Sequence, residues 1–387
     1  MKLLQWRGRI SKSAFRDRVL AALENELPAA TIEATGELDI RITGLTAKAQ
    51  VDVWLGRAYR EFCQKPREAQ EIIQRFVEGA RLSATDPPLE ADRIIPTLKP
   101  RDWLASQPSA SADTAQSGRF NPWVEPYNAE LCIAYAEYRG GLRYRHQSDF
   151  AALQLPRETL PERALANLRR LISTIKVVGS EGSYILSAGG TLDASLILLE
   201  EVISDPRLHI TGKPLVAVSD RDSCWVVDDS NPAAVFHVAA QVASCHRSEP
   251  YPISPSLFCR SEGRWEPLDP VSVEDTHPIP NLKVIDIHAI KKTGGSDLVV
   301  LIASPLGPDA RSIFRLFRKL DGYLETINAS QYQKECGPPT AKTTSIIVRL
   351  HPRSHPDVES ILRGAGSWAE ARNASLQVEK IKPVAVT

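Results

Sequence analysis

Carboxylates are concentrated in one short stretch of the chain, residues 219–229, which contains Asp220, Asp222, Asp228 and Asp229. Clustered carboxylates can bind a hard cation or carry out acid–base chemistry, and Arg221 adds a cation that could help to hold a small ligand. Asp also favours turns, because its side chain bonds the nearby backbone, and Arg221 could simply pair with its neighbours. The spacing is not that of a calcium-binding loop. The stretch therefore predicts a ligand-binding site at Asp220, Arg221, Asp222 and Asp228, with turn formation as the alternative and no metal assigned.

A second set of chemically active residues carries only positive charge. Arg311, Arg315, Arg318 and Lys319 are spaced so that they lie near one side of a predicted amphipathic helix. Such a row could contact an anion or an acidic protein partner. The alternative is a solvated helix face, since exposed basic residues are common on surface helices. We treat these four residues as a candidate contact site for an anion or a partner.

Common catalytic motifs are missing from the sequence. It contains no phosphate-binding GxxxxGK[ST] or GxGxxG loop, no GxSxG nucleophile motif and no HExxH zinc motif. The six cysteines are scattered without a CxxC pair, which fits neither a disulfide framework nor a zinc site. Reduced cysteines in a cytoplasmic protein are the simplest interpretation. The sequence thus predicts no cofactor and no metal, and it leaves enzymatic activity open while favouring none.

A strongly apolar segment precedes the acidic stretch and must position it. The apolar residues after Asp193 cover nearly all sides of a helix, so residues 193–203 predict a buried helix with Asp193 as its N-cap. Residues 215–218 form a short apolar run typical of a strand that is covered on both faces. A turn at 219–222 and a returning strand at 224–227 would complete a hairpin with the carboxylates near its two ends.

Helices with short strands between them are predicted for the N-terminal part of the chain. Helical spacing indicates a first helix over residues 12–26, followed by strands near 31–34 and 38–42. Two amphipathic helices should follow, one running from Val51 to Phe62 and one from Ala69 to Ala80. Their aromatic residues are expected to face a core rather than a ligand.

Two stretches without regular patterning divide the chain. Residues 105–118 are rich in Ser, Ala and Gln, and they follow a proline-broken apolar segment at 93–101 that is typical of an edge strand. Residues 267–280 are acidic and proline-rich. The predicted division is an N-terminal α+β domain at 1–104, a linker at 105–120, a central α+β domain at 121–266, a linker at 267–281 and a C-terminal α+β domain at 282–387.

The C-terminal part of the sequence predicts the order ββαβαβ. Its amphipathic helix is indicated by apolar residues at helical spacing from Ile313 to Ile327, and a second helix should start at His355 and Pro356. The predicted strands are 283–290, 298–303, 345–350 and 375–381. This order fits a small α+β sandwich, with a ferredoxin-like arrangement as one option. Such folds carry many unrelated functions, so the order does not indicate an activity.

Composition narrows the class of protein. The 387 residues include 47 Lys plus Arg and 47 Asp plus Glu, so the formal net charge is zero. A general nucleic-acid or anionic-membrane binder would carry a basic excess, and neither partner is expected. No apolar run approaches the roughly 20 residues that span a bilayer, and the first residues lack the apolar core of a secretory signal. A multi-domain α+β protein of the cytoplasm is therefore expected.

Several ordered blocks of the sequence are similar to one family. They are FRDRVLAAL, VWLGRAYREFCQKPREAQEIIQRFV, RIIPTLKPRDWL, ELCIAYAEYRGGLRYRHQSDFAAL, LPERALANLRRLI, LDASLILLEEV, GKPLVAVSDRDSCWVV and EPYPISPSLF. In this order they resemble the YtpQ-like family of bacterial cytosolic proteins of unknown function. The resemblance covers about residues 15–265 and implies no known activity, cofactor or catalytic residue. The family's Arg–Asp pair after an apolar strand is matched by Arg221 and Asp222, while the Ser/Ala linker and everything beyond Trp265 depart from the family.

Two functions remain open from the sequence. The first is a non-enzymatic interaction or accessory protein, whose C-terminal domain would be an added binding module for a protein partner. It is favoured by the balanced charge and by the missing catalytic motifs. The alternative is an enzyme or a protein that binds a small ligand or a metal, with its site at the 219–229 hairpin. The oligomeric state is not indicated by the sequence.

Overall fold

The chain forms two compact units of helices and small sheets in a computed structural model. The model describes residues 10–45, 48–64, 66–85, 87–106, 121–249, 251–270, 276–292 and 294–381. The first unit comprises residues 1–127, 131–174 and 249–251, and the second comprises 128–130, 175–248 and 252–387. The α+β class is confirmed. The predicted central and C-terminal domains lie mostly together in the second unit, and most of the predicted 105–120 linker falls outside the described residues.

A helix on a three-stranded sheet opens the first unit. Its elements are α1 (Lys12–Glu26) and the antiparallel strands β1 (Thr31–Ala34), β2 (Asp39–Leu45) and β3 (Lys48–Trp54). Helix α1 begins after Ser11, whose hydroxyl accepts a hydrogen bond from the Ala14 N–H at 3.2 Å. Its buried Phe15 belongs to the same apolar core as Ile40 and Ile42 of β2. The predicted first helix and the first two strands are thus confirmed.

The helix predicted to start at Val51 is wrong in its first turn. Val51 and Val53 lie on β3, opposite Ile42 and Ile40 of β2. Over so few positions, the spacing of the apolar residues is compatible with a strand as well as with a helix. The segment forms a strand because it pairs with β2. The two helices follow as α2 (Gly56–Gln64) and α3 (Ala69–Thr85).

A second sheet completes the first unit. Its elements are β4 (Ile94–Pro100), β5 (Val124–Pro126), β6 (Leu131–Tyr138), β7 (Leu142–Tyr144), α4 (Gln147–Ala151) and α5 (Leu160–Leu171). Strand β4 pairs with β6 and ends the sheet order, so the proline-containing segment is the edge strand that the sequence predicts. The sheet packs Ile94 and Tyr135 against Ala164 of α5.

The second unit contains a six-stranded antiparallel sheet with the order β13-β12-β10-β11-β9-β8. Its elements are β8 (Lys176–Ser180), β9 (Ser183–Ser187), α6 (Glu200–Ile203), β10 (Pro214–Ala217), β11 (Cys224–Asp228), α7 (Pro232–Ser248), β12 (Phe258–Ser261) and β13 (Arg264–Pro267). Strands β10 and β11 form the predicted hairpin, and α7 begins at Pro232, where the Asn231 side chain accepts the Ala234 N–H at 3.1 Å.

The predicted buried helix over residues 193–203 is only partly correct. The segment is buried, but it forms a 3-10 helix at Asp193–Leu198 and then the single α-helical turn of α6. Asp193 does not cap it. Its carboxylate oxygen Oδ1 accepts the N–H groups of Ala188 and Gly190, so this side chain closes the preceding loop instead.

The C-terminal part of the second unit has the predicted ββαβαβ order. Its elements are β14 (Ile287–Ile290), β15 (Ser296–Ile302), α8 (Ala310–Asn328), α9 (Ser330–Cys336), β16 (Ser345–Leu350), α10 (Pro356–Gly364), α11 (Gly366–Glu370) and β17 (Ser375–Lys380). The strands are neighbours in chain order, and β15, β16 and β17 are parallel. A ferredoxin-like arrangement is not confirmed.

One face of this C-terminal sheet is covered by helices. Both parallel crossovers advance in the same direction along the sheet, so right-handed connections place α8 and α10 on the same side. Leu298, Val300 and Val348 are fully buried there in one core with residues of α8 and α10. On the other face, Leu301 and Arg349 are exposed. That second face is only partly exposed, because Val299, which also lies on it, is buried.

None of the helices in the described residues combines the length and the apolarity that crossing a membrane requires. No disulfide joins any of the six cysteines, all of which lie in the described part of the chain.

The turn between β14 and β15 offers a matched pair of substitutions. Gly294 and Gly295 both have positive φ, but only a Cβ at Gly295 would meet the Thr343 backbone carbonyl, at 2.3 Å. We expect Gly294→Ala to lower the free energy of unfolding by about 1 kcal/mol through backbone strain alone. Gly295→Ala should cost more than about 3 kcal/mol, because the clash adds to the strain. Urea unfolding of both variants measures the difference, and equal losses would contradict the close approach.

Candidate functional site

The turn of the β10–β11 hairpin uses the Asp220 carboxylate for its own structure. Oδ2 accepts the Ser219 hydroxyl at 2.7 Å and Oδ1 accepts the Asp222 N–H at 2.9 Å. The Asp220 N–H in turn donates to the Ser223 hydroxyl at 3.3 Å. Asp220 is buried. This is the turn chemistry that the sequence allows as the alternative to ligand binding.

Arg221 and Asp222 form an ion pair with each other at the same turn. The guanidinium Nε and Nη2 lie 2.6 and 2.9 Å from the two carboxylate oxygens of Asp222. The Arg221 carbonyl also accepts the Ala194 N–H at 3.1 Å, which ties the turn to the 3-10 helix. The structure thus brings Asp220, Arg221 and Asp222 together, but as a closed set of contacts.

Asp228 lies at the opposite end of β11. At about 3.3 Å per strand residue it is on the order of 15–20 Å from Asp222. Its carboxylate accepts the N–H groups of Thr211, Gly212 and Ser230 and the Ser230 hydroxyl. Burial alone would raise the pKa of Asp228, but these donors outweigh it and hold the pKa below its usual value. Asp228 anchors the loop before β10 and does not join the other three predicted residues.

Beside Asp228 there is an open cleft of about 670 Å³ between the β8–β9 turn and the start of α7. Arg207 and His209 also line it. The Arg207 guanidinium clamps Asp205, with Nη2 at 2.6 Å from Oδ2, and lowers the pKa of that carboxyl to about 2. The cation that faces the cleft is thus already paired.

The sequence predicts Asp193 to be a helix cap. In the structure its carboxylate lies near Asp222 of the hairpin turn. Burial raises its pKa, the N–H donors of Ala188 and Gly190 partly offset this, and the Asp222 carboxylate nearby raises it further. The only signal in the sequence is an Asp three residues after the Gly189–Gly190 pair, a spacing typical of a loop closed by a side chain.

Two of the four residues in the predicted basic row on α8 are buried, so the row is neither a solvated face nor a continuous contact site for an anion. Arg315 is the first example, with a side chain only 4% exposed. Its guanidinium donates to the carbonyls of Ile279 and Pro280 and contacts the Asp269 carboxylate at 2.6 Å. A buried guanidinium needs such partners, because leaving it unpaired would cost several kcal/mol.

Lys319 is held in the same way one turn further along α8. Its ammonium donates to the carbonyls of Asn281 and Val284 at 2.5 and 2.6 Å and to the Asp286 carboxylate at 2.7 Å. These three acceptors match the three donors of an ammonium group. The side chain is 2% exposed. Neither Arg315 nor Lys319 therefore presents its charge to an external anion.

The two remaining residues of the row are half-exposed. Arg311 contacts the Asp269 carboxylate at 3.0 Å, and Arg318 lies 3.7 Å from it and 5.7 Å above the ring of Phe314. Arg318 also lines a cavity beside α8. The predicted set thus divides into two buried anchors and two rim residues.

Together the anchors fix residues 276–286, which we call the tethered segment. Arg315 and Lys319 hold its backbone carbonyls, and the Tyr323 hydroxyl accepts the Asp286 N–H at 2.7 Å. The other Asp286 carboxylate oxygen accepts the Leu301 N–H of β15. These contacts fix the position of Asp286, and β14 begins at the next residue.

Strand β14 is an exposed apolar edge. Its four residues are all exposed, with Ile287 at 42% and Ile290 at 58%. Within the described residues seven large apolar side chains are exposed, and four of them lie on or beside this strand: Val284, Ile287, Ile290 and Leu301. Such a concentration of apolar surface commonly marks an interaction site.

The outer edge of β14 carries free backbone groups. The Lys291 N–H donates to the Gly295 carbonyl at 3.0 Å, which makes residues 287, 289 and 291 the ones bonded to β15. The N–H and C=O groups of His288 and Ile290 consequently point outward. In the part of the chain that the structure describes, they have no hydrogen-bond partner. An additional strand could pair here.

Among the described residues there is no group of three or more His, Cys, Asp or Glu side chains placed to hold a metal ion.

Replacing Asp193 tests its raised pKa. A folded-state pKa above the unfolded value means that the proton stabilises the fold, and this stability is lost as the pH rises through the folded pKa. Asn keeps the acceptor without the charge, so Asp193→Asn should be more stable than wild type at pH 7. The difference should shrink towards pH 4. Asp193→Ala, which removes the acceptor, should be destabilised at both pH values, as measured by urea unfolding.

Replacing Lys319 tests the tethered segment. Lys319→Met keeps the length of the side chain but leaves two carbonyls and the Asp286 carboxylate without their donor. We expect the free energy of unfolding to fall by about 3–5 kcal/mol. The control Lys334→Met removes an exposed ammonium on α9 and should stay within about 0.5 kcal/mol of wild type. Similar losses in the two variants would show that the buried ammonium is not an anchor.

Comparison of the chain with protein-family models found no matching family, and searches among curated proteins and among solved structures found no match either. The resemblance to the YtpQ-like family stays a prediction from the ordered sequence blocks. The candidate surfaces of this chain are therefore defined by geometry: the β10–β11 hairpin, the basic row of α8 and the edge strand β14.

Proposed function

We propose that this chain is a non-enzymatic interaction protein that binds a partner strand along β14. The observation that carries the proposal is the open edge of this strand, with outward backbone groups at His288 and Ile290 and exposed apolar side chains beside them. Strand addition uses these features directly, since the backbone groups supply hydrogen bonds and the alternating side chains supply contact area.

The simplest partner is a second copy of the chain. In an antiparallel pair centred on Ala289, His288 faces Ile290 of the second copy. The outward N–H and C=O groups of these two residues can then bond each other between the copies. The same register places Lys292 opposite Asp286 of the second copy, whose carboxylate is 25% exposed and also contacts Lys319 of its own chain. Lys292 is exposed, and no ion pair of its side chain exists within the described residues. The edge is thus self-complementary in hydrogen bonding and in charge, as a two-fold interface requires.

The hairpin alternative has weaker support. Asp220, Arg221 and Asp222 bond one another, and Asp228 binds the loop before β10. A ligand at the turn would have to displace these contacts. We therefore favour interaction over catalysis for this chain.

The setting of this function is part of the same proposal. The ordered blocks at residues 15–265 favour a cytoplasmic protein of the YtpQ-like family, and six cysteines without a disulfide in the described residues are in keeping with a reducing compartment. The zero net charge favours a protein partner over a nucleic acid.

Sedimentation velocity over a concentration series of the full chain tests the proposal. We expect a monomer–dimer equilibrium that Lys292→Glu weakens about tenfold, because two like-charge contacts at roughly 0.5–1 kcal/mol each replace two ion pairs. The matched control Lys334→Glu changes the charge equally on α9 and should leave the equilibrium unchanged.

A second variant tests the backbone contribution. His288→Pro removes an outward N–H while the bonds between β14 and β15 remain, so it should also weaken the dimer. A wild-type chain that stays monomeric, or a Lys292→Glu variant that behaves like the control, would contradict pairing between copies through β14.

A further inference from the structure

A cavity of about 550 Å³ lies in the second unit between α7, α8 and the tethered segment. Ala243 and His246 come from α7, Phe317 and Arg318 from α8, and Leu282 from the tethered segment. Cavities that hold small molecules usually measure about 300–1,000 Å³. Lys319 holds two carbonyls of the tethered segment, which forms one wall of the cavity.

Apolar residues form one part of the cavity lining. Ala243, Leu282, Ile285 and Phe317 contribute to it, and they also belong to the apolar core or pack against it. Gly322 leaves space at the middle of α8, since a Cβ there would meet nothing closer than the Leu282 carbonyl at 3.6 Å. A glycine within a long helix costs about 1 kcal/mol relative to alanine. Its presence at this position keeps the cavity open.

The acidic residues of the cavity are already neutralised. Arg247 contacts the carboxylates of Asp321 and Glu325 at 2.9 and 3.0 Å, and Arg372 contacts Asp321 from its other side. Burial lowers the pKa of His246, and the neighbouring Arg247 lowers it further, so its imidazole is neutral at pH 7. A neutral ring can donate or accept a hydrogen bond inside the cavity.

Two cations of the cavity lack a close carboxylate. Lys283 is exposed and has no ion pair within the described residues. Arg318 has its nearest carboxylate, Asp269, at 3.7 Å, which is longer than a direct charged hydrogen bond. The cavity lining therefore combines an apolar part with two cations, Lys283 and Arg318, that have no carboxylate at direct hydrogen-bond distance within the described residues.

We propose that this cavity binds a small organic carboxylate with an apolar body. The apolar body lies against Leu282, Ile285 and Phe317, and the carboxylate is held by Lys283 and Arg318. This use of the cavity is independent of strand pairing at β14, because none of these five side chains lies on that strand.

Titration calorimetry of the full chain with phenylbutyrate tests this site. The probe combines one carboxylate with an apolar body, and phenylbutylamine is its matched cation. We expect saturable binding of the carboxylate and binding of the amine that is at least about tenfold weaker, because the same cations repel it. Equal affinity for the two probes, or no saturable binding of phenylbutyrate, would overturn the proposal.

Substitutions in the cavity lining test whether phenylbutyrate binds there. Gly322→Leu should fill the cavity and abolish binding, while its better helix propensity keeps α8 intact. Lys283→Gln and Arg318→Gln should each weaken binding about tenfold through loss of a charged hydrogen bond. The control Lys334→Gln removes an exposed cation on α9, outside the cavity, and should leave the affinity for phenylbutyrate unchanged. Binding that survives in Gly322→Leu, with the fold verified by circular dichroism, would overturn the assignment.

Discussion

Two buried cations on α8 set the arrangement of the C-terminal half of the second unit. Arg315 and Lys319 lie on a helix whose neighbouring residues form the apolar core, and a charge in that position is stable only with partners. Those partners are backbone carbonyls of the tethered segment and the carboxylates of Asp269 and Asp286. The need to pair these cations therefore fixes a segment that has no helix or strand of its own.

Both proposed surfaces depend on this anchoring. The tethered segment ends at Asp286, immediately before β14, so the edge strand starts from a fixed point. The same segment spans α8 and forms one wall of the cavity that Arg318 and Lys283 line. The anchors themselves are not available to ligands, because their donors are already used. Two of the four charges that the sequence associates with binding thus stabilise the fold instead, and the proposed carboxylate site uses only Arg318 of that row, together with Lys283.

The residue types of the β10–β11 hairpin predict its strands and its turn but not the partners of its carboxylates. Its strands and turn follow from the apolar run before Ser219 and from the preference of Asp for turns. The sequence also places Asp220 and Asp228 near opposite ends. It does not show that the Asp220 carboxylate bonds Ser219 and Asp222, or that Asp228 holds the loop at Thr211, since such partners are chosen by the path of the backbone. A carboxylate has the same appearance in the sequence whether it binds a ligand or its own chain.

The sequence by itself determined most helices and strands and the ββαβαβ order, because hydrophobic periodicity and caps are local properties. It erred where local signals are short or ambiguous, at Val51 and at residues 193–203, because pairing with β2 and the loop closed by Asp193 are non-local. Only the tertiary structure decided which cations are buried, which strand is left at the edge and where a cavity remains. All three features depend on packing between residues that are far apart in the chain, and this packing cannot be inferred from the pattern of neighbouring residues.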